Sequence, residues 1–199
     1  TTLFRSPIRY NDNLKVMSVE FVLKDQAREA VIWRGPMKHR MIHQFLAEVD
    51  WGHLDFLIVD APPGTGDEPL TICQMAPPRS KAILVTTPQQ VAIKDVRKSI
   101  RFCRHLEMPV FGIIENMSSF VCPTCGTEHE LFKKGGGEKL ARETGFRLLG
   151  KIPFDPRMVT VSDEGKPYVI EYPTSIVSKA FDQIIESILP LSPLRMKKH

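Results

Sequence analysis

Two thiols three positions apart, Cys122 and Cys125, and a carboxylate closing an apolar run, Asp60, are the residues here best suited to chemistry. In Cys122-Pro-Thr-Cys125-Gly126 two thiolates have the spacing that grips one metal ion or one corner of a cluster. The proline shapes the knuckle, and the glycine frees backbone N–H groups to approach sulfur. A thioredoxin-like redox pair shares this spacing, but such a pair opens a helix after a strand, and this stretch does not. A lone pair leaves four-coordination incomplete. His129 could act as a third ligand, whereas Cys73 and Cys103 fall in helical apolar patterns and read as core. A second copy of the chain would supply the rest, setting four cysteines around a two-fold axis. An intrachain zinc site and an inert pair are the alternatives.

The second constellation is Leu57-Ile-Val-Asp60-Ala-Pro-Pro-Gly64-Thr-Gly66-Asp67. An apolar strand ending in Asp is how phosphate-hydrolysing proteins bring an anionic oxygen near Mg²⁺, often through its bound water. Pro62 and Pro63 stiffen the exit from the strand. Gly64 and Gly66 let the backbone approach an anion or adopt positive φ. A plain strand followed by a Pro/Gly turn would look the same in isolation.

These residues need a frame. Short β-branched runs at 16–22, 30–33, 56–59, 82–85, 110–114 and 148–152 alternate with helical patterns. The helices are expected behind Pro36 (Met41, Ile42, Phe45, Leu46, Val49), over 89–106 (Val96, Ile100, Cys103) and at the close (Ile176, Ala180, Ile184, Ile188). That alternation predicts an α/β fold, a doubly wound, mostly parallel sheet with helices on both faces. Ligands of such sheets bind beyond the carboxyl ends of the strands, where Asp60, Thr86, Asn116 and Asp155 fall. The length of 199 residues fits one domain over 1–189 with a basic tail over 190–199. Hydrophobic residues at 42% and charged residues at 25% exclude a disordered chain. No apolar run reaches the roughly 18–20 residues that span a bilayer, and the start lacks a secretory pattern. Four cysteines suit a reducing cytoplasm better than a disulfide scaffold. A net charge of +4 does not single out nucleic acid, and neither a nucleic-acid nor a membrane partner is expected.

Together these segments resemble the Mrp/ApbC-type iron–sulfur cluster carriers, a branch of the MinD-like P-loop ATPases. The resemblance runs from Lys15 to about Tyr168. It rests on Val31-Ile-Trp-Arg-Gly-Pro-Met-Lys38, Asp50-Trp-Gly52, the 57–67 segment, Val85-Thr-Thr-Pro88, Ile114-Glu-Asn-Met117, the cysteine pair, Gly135-Gly-Gly137 and Gly150-Lys-Ile-Pro-Phe-Asp-Pro156. It implies ATP/ADP and Mg²⁺ as ligands, with Asp60 catalytic and holding the Mg²⁺ water shell, and Gly64 sensing the γ-phosphate. Asn116 would bond the adenine edge, with Pro153 and Asp155 in the loop flanking the base. Cys122 and Cys125 would bridge a [4Fe–4S] cluster with their counterparts in a homodimer, Zn²⁺ being the alternative metal. Apo iron–sulfur proteins would receive the cluster. Arg34 would lie near the nucleotide, although a helix entry with Pro36 at its first position explains that segment as well. Gly135-Gly-Gly137 reads as a hinge for the cysteine loop, or as an anion site at a helix start.

The family's phosphate loop is not in this sequence: no G-x-x-x-x-G-K-[ST] stretch occurs in the 199 residues. Its strand would lie beside 56–59, so a natural N-terminal segment is expected upstream. The alternatives are an engineered fragment, segments omitted from the sequence, or a paralogue that no longer binds nucleotide. The chain by itself is not expected to hydrolyse ATP, whereas the complete protein is, slowly. Two other functions fit parts of the pattern. A MinD-like regulatory or positioning ATPase would want an amphipathic membrane-binding C-terminus and no metal pair, and a zinc-stabilised scaffold would have no turnover.

Overall fold

The structure is a computed structural model that describes residues 6–22, 35–122, 125 and 127–191. The chain divides into two units, Thr1–Arg79 and Ser80–His199. The expected strand at 30–33, Arg34 and most of the basic tail lie outside the described residues.

The first unit is mostly helix and extended chain. Strands β1 (Ile8–Arg9) and β2 (Lys15–Val16) pair antiparallel, and a single turn, α1 (Val19–Val22), follows. Helix α2 (Gly35–His43) begins with Pro36 in its first turn, where a missing N–H costs nothing, and runs into a π-helical turn, Gln44–Glu48. Trp51 closes this segment, its indole N–H donating to Phe45 O at 2.9 Å while its carbonyl accepts from Lys15 Nζ at 2.5 Å. Val49 is buried. Helix α3 (Asp67–Met75) starts from Gly66 and packs on α2 through Lys38 Nζ to Glu68 Oε1, 2.5 Å, and His39 Nδ1 to Thr71 Oγ1, 3.1 Å.

Two expectations fail in this unit. Residues 16–22 are not one strand, because pairing stops at Val16 and the chain turns into α1. Residues 56–59 form no strand either: Leu57 and Val59 are 43% exposed and Ile58 78%. A β-branched run is only a candidate strand until a neighbour supplies its ladder of hydrogen bonds, and among the described residues no such ladder forms here.

The second unit holds the expected sheet. Strands β3 (Ala82–Thr86), β4 (Val110–Val121) and β6 (Leu148–Phe154) run parallel with β4 in the middle, and β5 (Glu128–His129) pairs antiparallel with the end of β4. Helices cover both faces. Helix α4 (Gln90–His105) and α5 (Gly136–Thr144) cover one, burying Ile93, Ile100, Cys103, Leu140 and Ala141 against Leu84 and Ile113. Helices α6 (Arg157–Asp163), α7 (Tyr168–Glu171) and α8 (Ile176–Ile188) cover the other, with Val161, Tyr168, Val177 and Ile184 against Leu149 and Ile152. Helix α8 turns the expected Ala180 and Ile184 inward, with Ile188 packed beside them; in its first turn alone the inward apolar residue is Val177, and Ile176 is exposed. Its start is capped by Ser175, whose hydroxyl accepts from Ser178 N at 3.0 Å. Among the described residues, no helix is long and apolar enough to cross a membrane.

Strand β4 is longer than the expected 110–114 and leaves the sheet as one arm of a hairpin. Its ladder with β6 slips between Asn116 and Phe120, opposite Pro153. Proline has no N–H to give, and Met117 absorbs the mismatch with φ +53°. Beyond the slip, Phe120 lies between the rings of His129 and Phe154, 6.3 and 6.2 Å away between centroids.

Candidate functional site

The cysteines sit at the tip of the β4–β5 hairpin. Cys122 is half-buried where β4 ends, and its N–H donates to Thr127 O at 2.9 Å, closing the turn. Cys125 is exposed, and its thiol donates to Thr127 Oγ1 at 3.2 Å. The Thr127 hydroxyl and N–H hold the Cys125 thiol below the usual range, with Cys122 adding to the effect. No disulfide joins the pair, so both sulfurs are free to bind metal. Among the described residues no group of three His, Cys, Asp or Glu side chains could hold a metal ion. His129, the third ligand considered from sequence, instead stacks on Phe120 across the hairpin. This chain therefore offers a metal two thiols among its described residues.

Asn116 lies on β4 opposite Ile152, with the chain of Pro153 and Asp155 following on the neighbouring strand. The Asn116 amide oxygen accepts from Met117 N at 2.9 Å, so its NH₂ is the group left to meet a ligand. Pro153 is buried at the end of β6. Asp155 follows and spends its oxygens within the chain. It accepts from Arg157 N (2.9 Å), Nε (3.0 and 3.1 Å) and Nη2 (2.6 Å), and from the Tyr168 hydroxyl (2.6 Å). The Arg157 guanidinium holds the Asp155 carboxyl down at about 2. Burial, with the adjacent carboxylate, pushes the Tyr168 hydroxyl up. Arg157 in turn lies over the Tyr172 ring, 4.4 Å from its centroid. Asp155 thus forms a buttress for the turn after β6.

Asp60 and Gly64 belong to the first unit, on the exposed segment before α3. Gly64 has φ +96°, and an added Cβ would meet nothing within 4 Å. Backbone conformation, not crowding, calls for glycine there. Asn116, Pro153, Asp155 and the cysteines all belong to the second unit.

Sequence reasoning passed over Glu115. It is completely buried, its Oε2 accepts from Gly137 N at 2.5 Å, and its Oε1 has no hydrogen-bond partner among the described residues. The available signal was a charged residue on the same strand face as Ile113, an inward position by the two-residue period. Gly137, which donates to this carboxylate, and its neighbour Gly136 are packed tightly, and do not read as a hinge. A Cβ on Gly136 would lie 2.4 Å from Pro88 O, and one on Gly137 would lie 3.0 Å from Glu115 Cβ.

Comparison with known proteins fits this architecture. A nucleotide-binding protein from Archaeoglobus fulgidus, solved in complex with ADP and containing cobalt, is 35% identical over 87% of this chain and 68% of its own, with a TM-score of 0.67. The septum site-determining protein MinD from Pyrococcus horikoshii OT3, complexed with Mg-ADP, is 22% identical over 84% and 64%, with a TM-score of 0.61. The cell division ATPase MinD of Pyrococcus furiosus is 21% identical over 89% and 64%, with a TM-score of 0.58. Against both MinD proteins the chain spans less than two thirds of their length, and they share its fold. Residues 3–189 match the ParA family in the form described as NUBPL iron-transfer P-loop NTPase. With that match over nearly its whole length, the chain belongs to the family of NUBPL-type iron-transfer P-loop NTPases.

Proposed function

We propose that the protein carries an iron–sulfur cluster on Cys122 and Cys125, shared with the same pair of a second copy, and passes it to apo-proteins. The observation that carries this reading is a two-thiol tip on a sheet-rooted hairpin in a member of an iron-transfer family. Two thiols per chain make half of a four-cysteine site, and a two-fold axis supplies the other half. The cluster is cargo, so an exposed position for Cys125 suits release as well as binding.

Nucleotide would govern this cycle in the complete protein, with residues 1–189 forming one nucleotide-binding domain. Asp60 would hold the water shell of Mg²⁺, and Gly64 would give the γ-phosphate a backbone contact free of any side chain. Asn116, with its amide oxygen engaged by Met117, would donate through its NH₂ to a ring nitrogen of a purine. Pro153 would close one side of the base, and Asp155 would hold that turn in shape through Arg157 and Tyr168.

Anaerobic reconstitution with iron and sulfide tests the cluster. About four irons per dimer, with a thiolate-to-iron absorbance band, are expected for a bridged [4Fe–4S] site. Cys122→Ser and Cys125→Ser should each abolish the band and leave the fold intact. Stoichiometric zinc that resists reconstitution would replace this reading with a structural scaffold. A monomer retaining a full cluster would refute bridging.

A further inference from the structure

Glu115 is the most deeply buried acidic side chain among the described residues. It sits one β period after Ile113, on the sheet face covered by α4 and α5. A leucine would fill that space with no polar group to desolvate. A carboxyl placed there is costly unless it is bonded, so what it bonds is informative. Its partner is the Gly137 N–H, one of the open donors in the first turn of α5 and 22 residues further along the chain. Everything between the two is the hairpin with Cys122, Cys125 and Thr127, plus the return to α5.

The outgoing arm of that hairpin is fixed by the ladders of β4 with β3 and β6. Among the described residues the returning arm, past β5, joins no such ladder and has only the isolated Leu131–Lys133 bridge. It is anchored where α5 begins, by the Glu115–Gly137 bond and by Gly136 pressed against the Pro88 carbonyl at the exit of β3. Glycine alone permits both approaches. We propose that Glu115 is the positioning residue of the cysteine pair: by capping α5 it pins the returning arm to the sheet and so sets the orientation of the hairpin tip. The assignment of a metal task to that tip rests on the function proposed above. The pinning itself rests on the Glu115–Gly137 contact.

The test uses the full chain and separates the two. Amide hydrogen exchange is compared in wild type, Glu115→Gln, Glu115→Leu and Glu115→Asp. Gln keeps an acceptor for Gly137, Leu removes it at similar volume, and Asp keeps the carboxyl but falls one methylene short. In the Leu variant, exchange at 127–139 should accelerate by roughly tenfold or more, the scale of one lost buried hydrogen bond. The Gln variant should stay within about threefold of wild type. Amides of α8 should not change. Should the Leu variant fail to fold, the Asp variant must show the same local acceleration. Unchanged exchange in the hairpin, or acceleration spread evenly into α8, would overturn the proposal. Cobalt(II), read by its thiolate charge-transfer band, gives the second arm. Its release to a chelator should be about tenfold faster in the Leu variant than in wild type or Gln. Equal release, with the hairpin loosened, would deny Glu115 any positioning of the thiols. A band that survives Cys122→Ser would defeat the metal reading instead, and leave the exchange result to decide the pinning.

Discussion

Asp155 illustrates how surroundings decide what a carboxylate does. From sequence it stands beside a base-binding turn; in the fold its oxygens are taken by Arg157 and Tyr168. Its pKa of about 2 lies below the ordinary 3.8, so the folded state favours the charged form. The linked stability is fully present above pH ~4 and is lost as pH falls toward ~2. Because Arg157 is half-exposed, solvent screening leaves about 1–2 kcal/mol of it. Asp155→Asn should therefore lower the unfolding free energy by that amount at pH 7, measured by urea titration. The gap from wild type should begin to narrow below pH ~4. A gap constant down to pH 3 would mean that packing, and not charge, makes the contact. The residue types at the cysteine tip, at Asn116 and at Asp155 were legible in the sequence. Their partners were less so. Arg157 stands two residues away, but Tyr168 arrives from another helix, and Glu115 is revealed only by which face of β4 it occupies.

At the scale of elements, the reading succeeded where an apolar run had neighbours to complete it. Strands β3 and β6 and helices α4 and α8 lie close to their expected bounds because each is stabilised by contacts within the second unit. The run at 56–59 has the same composition and no ladder, which no property of the run itself could reveal. The hinge expected at the glycine stretch is absent for a related reason: flexibility and close approach demand the same residue. They respond oppositely to a methyl group. At a flexible hinge, Gly136→Ala would be nearly silent. Against Pro88 O at 2.4 Å from the added Cβ it should cost about 1–3 kcal/mol by overpacking. Gly145→Ala is the control, with φ +75° and open space around the Cβ, so it should cost about 1 kcal/mol from backbone strain alone. Urea unfolding of the two variants, with the larger loss at Gly136, would establish α5 as a tightly seated element.

At the scale of the whole molecule, apolar burial is unevenly shared. Both core clusters lie in Ser80–His199, and in the first unit Val49 is the one buried apolar side chain among the described residues. Burial, not local propensity, supplies most of the free energy that holds elements in place, so resistance to local opening should follow the same division. Ile113→Ala, which empties a fully buried position, should cost about 2–5 kcal/mol. Ile58→Lys, at a side chain already 78% exposed, should change stability by no more than about 0.5 kcal/mol. Limited chymotrypsin digestion reads the same division without mutation. A protease needs a stretch of chain to leave its contacts, and the segment around Phe56 and Leu57 has no helix or strand to leave. Phe111, Phe146, Tyr168 and Phe181 are packed in the clusters of the second unit. The first cuts in the 50–181 span should therefore fall after Trp51, Phe56 or Leu57, or after Leu131 or Phe132 beyond β5, and the chain at Phe111, Phe146 and Tyr168 should stay uncut. Early cuts after Phe111 or Tyr168 would mean that the sheet opens as readily as the exposed segment. The fixed frame assumed for the cysteine hairpin would then be absent, because β4, which carries Phe111, also carries Cys122 at its end.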